Sequence, residues 1–164
     1  MLMDLVAIWK VDFDIDRFVE VAAEYLAGRG AIPVLHSESA AKFEHDRVPV
    51  RVFIHDDLLT HVCAQKKKYK RDLNAILTFG YVGSSRGGKN GLALIPERDR
   101  KMQGLPELFQ AAKYREYCER VGAGLSLDRL QGIKVVTHRK SGERLVGVFD
   151  RKAGVAVLFD IRTY

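Results

Sequence analysis

The stretch AILTFGYV, residues 75–82, decides how this chain is laid out. Its β-branched and aromatic content predicts a strand. Working back from it, Asp56 or Asp57 can cap a helix through Leu58, Leu59 and Val62. Before that helix, Val48, Val50, Val52 and Ile54 alternate with Pro49, Arg51 and Phe53, the period of a strand whose proline sits at its start or on an edge. Ala31 to Leu35 and Leu5 to Val11 are two further apolar runs of strand length. Between those runs, Ile15, Phe18, Val19, Ala22 and Leu26 make the apolar stripe of a helix packed on a sheet, and the glycines at 28 and 30 stop it.

Taken through residue 82, the order is strand, helix, strand, strand, helix, strand. That order predicts an α+β fold with a ferredoxin-like βαββαβ core, an antiparallel sheet with its helices on one face. Downstream, GLALIP at 91–96 is expected to pair with 75–82 as a hairpin across GSSRGGKN. A helix is expected over 105–121, with Leu108, Ala111, Tyr114, Cys118 and Val121 on one side. Ile133 to Thr137, Leu145 to Phe149 and Val155 to Ile161, separated by turn-forming residues, predict a C-terminal β-meander. With 164 residues, 1–164 is read as a single domain.

Composition bounds the function classes. The chain is 47% apolar and 29% charged, with no apolar run long enough to span a membrane, so no membrane partner is expected. Asp4 precedes the first apolar run, and neither a basic start nor a small-residue cleavage site is present; the expectation is a cytoplasmic protein. Cys63 and Cys118 form no CxxC pair, which gives no sign of a disulfide framework or a zinc site and predicts two reduced, mostly buried thiols.

Charge is unevenly distributed. Residues 1–64 carry a net −5, 65–101 a net +7 and 102–164 a net +4. The basic middle sets up a local positive field that attracts polyanions, of which nucleic acid is the commonest. Its first cluster is KKKYKR at 66–71, where Lys66, Lys67, Lys68, Lys70 and Arg71 surround Tyr69, a ring on which an unpaired base can stack. Its second is SSRGGKNG at 84–91, where Arg86 and Lys89 sit in a glycine-rich loop whose backbone N–H groups can turn toward an anion. Lys89 is followed by Asn90, so this is no Walker loop, and Ser84 and Ser85 lack the setting of a nucleophile elbow. Phe79 and Tyr81 alternate on one strand face, the arrangement of a stacking platform or of core packing.

Two patterns hold candidate chemistry. Asp12, Asp14 and Asp16 in VDFDIDRF can converge at a strand end and hold Mg²⁺ or Mn²⁺ for phosphoryl transfer, or Asp14 or Asp16 can cap the following helix with the other in its first turn. His55, at a strand end before two aspartates, can act as the base in metal-independent RNA cleavage. A ferredoxin-like domain with a glycine-rich loop and a basic helix resembles, in architecture, the repeat-processing endoribonucleases of CRISPR systems, and that resemblance implies a nuclease. Three functions are therefore expected of this chain: a nucleic-acid-binding domain for RNA or DNA, a small nuclease, or a module for an acidic protein partner.

Overall fold

The structure, a computed structural model, describes residues 6–9, 14–36, 48–49, 51–79, 81–83, 91–96, 104–111, 116–117, 119, 124–137 and 142–163. It is a mixed α+β fold. The strands are β1 (Val6–Trp9), β2 (Ile32–His36), β3 (Val48–Pro49), β4 (Arg51–Ile54), β5 (Tyr81–Gly83), β6 (Gly91–Leu94), β7 (Gln131–Val136), β8 (Glu143–Asp150) and β9 (Val155–Thr163). The helices are α1 (Ile15–Leu26), α2 (Asp56–Ala64), α3 (Lys66–Phe79) and α4 (Leu105–Phe109), with a 3₁₀ turn at Leu127–Arg129.

The reading of 75–82 as a strand is overturned for most of its length: residues 75–79 are the last turns of α3, and only Tyr81–Gly83 is extended. The physical reason is period. Tyr69, Asp72, Leu73, Ile76 and Leu77 are all buried and fall at i, i+3, i+4, i+7 and i+8, one face of a helix that is already running when AILTF begins. Burial of that face outweighs the strand preference of individual residues.

Among the described residues the strand order is β1-β2-β4-β9-β8-β7-β6-β5-β3. The ferredoxin-like antiparallel order is not what this sheet adopts. α1 instead carries the chain over to a β2 that lies parallel beside β1, β4 is parallel to β9, and β5 is parallel to β6 where a hairpin was expected. One expected strand also divides: β3 pairs with β5, while β4, one residue on, pairs with β2 and β9. The far end of the order thus returns to its third member. α3 touches β2 on one side and β6 and β7 on the other, so the sheet wraps round this helix.

Helices pack on both faces. Under α1, α2 and α3 lie Leu35, Val52, Ile54, Leu92, Ile133, Val135, Leu145, Phe149, Ala156 and Leu158. The opposite face buries Val34, Phe53, Val146, Val148, Val157 and Phe159 with Leu105, Phe109 and Tyr117. The single helix expected over 105–121 is interrupted: α4 ends at Phe109, Gln110 and Ala111 are not helical, and residues 116, 117 and 119 are helical again. Leu108 and Ala111, placed on the inner side by the sequence, are both exposed. The meander β7–β8–β9 is antiparallel as expected and forms the middle of the sheet. Among the described residues no helix is long and apolar enough to cross a membrane.

Candidate nucleic-acid interface

α3 begins one residue after α2 ends, with Gln65 at the joint, so the basic run forms the opening turns of a new helix. The inner face of α3 is anchored by Tyr69, Leu73, Ile76 and Leu77. That anchorage fixes what the outer face shows. Lys67, Lys70 and Arg71 are exposed at i, i+3 and i+4, with half-buried Asn74 continuing the line at i+7. Sequence reasoning spread five cations around the circumference and missed Asn74, although helical spacing from Lys67 points to it.

The other two lysines are tied down. Lys66 Nζ donates to Asp16 Oδ1 at 2.7 Å, joining the start of α3 to the first turn of α1. This hydrogen bond and the charge behind it hold the Asp16 carboxyl below its ordinary value and raise Lys66. Lys68 Nζ lies 2.6 Å from Glu143 Oε2 at the start of β8, a contact that raises the lysine's pKa. Lys67, Lys70 and Arg71 have no carboxylate in ion-pair contact among the described residues.

Tyr69 does not serve as a stacking platform. It is 1% exposed, and its hydroxyl meets His61 Nε2 at 3.0 Å with the two rings edge to face. Lys68 Nζ stands 5.4 Å from the centre of its ring. An aromatic among lysines here is a core residue of the helix that carries them.

Two of the residues read as catalytic, Asp14 and His55, are engaged in structure. Asp14 caps α1, its Oδ1 accepting from the backbone N–H of Asp16 at 3.0 Å and of Arg17 at 3.3 Å. Asp14→Ala is expected to cost about 1 kcal/mol of stability, measured by urea denaturation, as the loss of an N-cap does. His55 is buried and caps α2, its Nδ1 accepting from the Asp57 N–H at 3.3 Å while its ring packs 4.8 Å from that of Tyr117. Asp12 lies outside the described residues, as do Arg86, Lys89, Ser84 and Ser85, and the side chains of Phe79 and Tyr81 lie outside the description too. Among the described residues no group of three or more His, Cys, Asp or Glu side chains could hold a metal. Cys63 is a free, half-buried thiol whose pKa burial pushes up to about 11; Cys118 is outside the described residues.

A groove of about 640 Å³ opens on the other side of the sheet, between α4 and the 3₁₀ turn. Glu107 and Asp128 border it, which sets its charge against that of α3. No protein-family model matches the chain, nor does any curated protein or solved structure.

Proposed function

We propose that the protein binds nucleic acid by its phosphate backbone, with the exposed stripe of α3 as the grip. One observation carries this reading: Lys67, Lys70 and Arg71 share one outward line on a helix held by a buried opposite face, while Lys66 and Lys68 are held in ion pairs. Three cations at this spacing follow a run of phosphates, whose contacts position a protein without reading sequence. Asn74 adds a side-chain amide able to donate to phosphate or sugar.

Binding without turnover is the reading proposed. Asp14 Oδ1 is engaged in capping α1, and His55 is buried at the start of α2. The grip is to a feature that RNA and DNA share, and the test compares them. Fluorescence anisotropy with labelled single-stranded RNA, single-stranded DNA and duplex DNA is expected to give measurable binding at low salt. Changing Lys67, Lys70 and Arg71 together to Ala is expected to weaken it on the order of tenfold. Changing only Lys66 to Ala should have a smaller effect. Equal affinity of the triple variant would overturn the reading. Binding of an acidic peptide in preference to every nucleic acid would assign the same stripe to a protein partner.

A further inference from the structure

The groove on the second face of the sheet has a chemistry that the α3 grip does not use. Gly132 of β7 lines it, and the next residue, Ile133, belongs to the core under α3, so alternation turns Gly132 to the groove side. With no side chain, Gly132 leaves open the space where a Cβ would touch Ile95 and Leu105 at 3.6 Å. The two walls are tied together, because Gln110 Nε2 at the end of α4 donates to the Leu127 carbonyl of the 3₁₀ turn at 3.1 Å. Ile95, Pro96, Pro106 and Leu130 supply apolar lining, and exposed Glu107 and Asp128 border it.

Among the described residues no cation lines this groove, and neither Glu107 nor Asp128 has a Lys, Arg or His in ion-pair contact. Arg129 feels the charge of Asp128 beside it, but its Nε and Nη2 donate to the buried Asp150. The surface of opposite sign is the α3 stripe, where exposed Lys67, Lys70 and Arg71 span about 6 Å of helix. α3 packs on one face of the sheet and α4 on the other, so a molecule cannot seat its own stripe in its own groove, whereas two copies can pair them. Lysine and arginine suit such a groove in both their parts. Their apolar stems lie along apolar walls while their charged heads reach a carboxylate rim.

We propose that the acidic groove of one copy of this chain receives the α3 stripe of a second copy, in competition with nucleic acid for the same cations. The inference rests on α3 as the docking face assigned above. Because the two surfaces differ, the contact is head to tail and extends to further copies as long as both surfaces are intact. The test is sedimentation velocity of the full chain at low salt. Concentration-dependent association is expected, and it is lost as salt nears about 1 M, where the screening length falls to about 3 Å. The triple alanine variant of Lys67, Lys70 and Arg71 and a double variant carrying Glu107→Gln and Asp128→Asn are each expected to associate about tenfold more weakly. All five positions are exposed, and circular dichroism checks that both variants fold. Mixed together, the two variants are expected to form a heterodimer that grows no further, since one supplies an intact groove and the other an intact stripe. A single-stranded oligonucleotide is expected to dissolve the wild-type assembly. A wild-type protein that stays monomeric at low salt, association unchanged in either variant, or no recovery on mixing would overturn the proposal. So would an oligonucleotide that binds without dissolving the assembly. Recovery on mixing, with no oligonucleotide bound by the wild type, would instead overturn the nucleic-acid reading and leave the docking standing.

Discussion

Gly147→Ala is expected to destabilise the protein by about 3 kcal/mol or more, enough to unfold a marginally stable domain. Gly147 is paired in the middle of the sheet, where β9 bulges at Phe159. A methyl there would overlap the Val157 carbonyl oxygen and lie 2.7 Å from Leu158 Cα. Both are backbone atoms of the longest strand pair, so no rotamer change gives way, and relief requires β8 and β9 to part. Gly132→Ala makes the control. Its Cβ would meet side-chain carbons of Ile95 and Leu105 at 3.6 Å, an ordinary contact, and a change within about 1 kcal/mol is expected. Denaturant midpoints of the two variants check this directly; a wild-type midpoint for Gly147→Ala would mean that β9 does not approach so closely.

Asp150→Ala is expected to cost about 2–4 kcal/mol at neutral pH. The carboxylate is fully buried at the end of β8. Its Oδ2 accepts from Ser126 N–H at 2.8 Å and Arg129 Nη2 at 2.9 Å, and its Oδ1 from Lys152 N–H at 3.0 Å, Ala153 N–H at 3.2 Å and Arg129 Nε at 3.2 Å. One side chain thus joins the β8–β9 turn to the segment that leads into β7, and its loss strands several backbone donors together. Burial by itself raises the pKa of Asp150, but the Arg129 hydrogen bonds and the backbone N–H groups of Ser126 and Ala153 outweigh it and hold the carboxyl below its ordinary value. A depressed folded-state pKa means that the unfolded chain takes up the proton first as pH falls. The stabilisation is therefore complete above the unfolded carboxyl's value, about 3.9, and is lost as pH falls through the lower folded value. The gap in stability between wild type and Asp150→Ala should be wide at pH 7 and close in acid. A gap independent of pH would show that the ion pair contributes nothing.

Much of this is local in origin and was legible in the sequence. The spacing of Phe18 and Ala22, the cap at Asp14 and the alternation of β7, β8 and β9 each depend on neighbours within a few residues, and each is found. At 75–79 two local signals conflict, composition favouring a strand and period favouring a helix. Period wins because Tyr69, Leu73 and Ile76 have already committed their face to the sheet. The parallel pair of β4 with β9 joins segments far apart in the chain, and no local pattern specifies it.

The candidate site divides in the same way. That 66–71 is basic is plain from the residues, whereas which cations are held depends on Asp16, fifty positions before Lys66, and on Glu143, far downstream of Lys68. Tyr69 shows the hazard of reading composition without period: interleaved with lysines in sequence, it faces inward in space.

The central claim, that the outer stripe of α3 grips phosphates, is tested most directly by the slope of log affinity against log salt concentration for a single-stranded oligonucleotide. Each phosphate contact contributes roughly 0.7 to that slope on a single strand. The account predicts a steep fall with salt for the wild type and a slope shallower by about 2 when Lys67, Lys70 and Arg71 are all alanine. The same slope in both proteins would contradict it and return α3 to the role of a solvated helix.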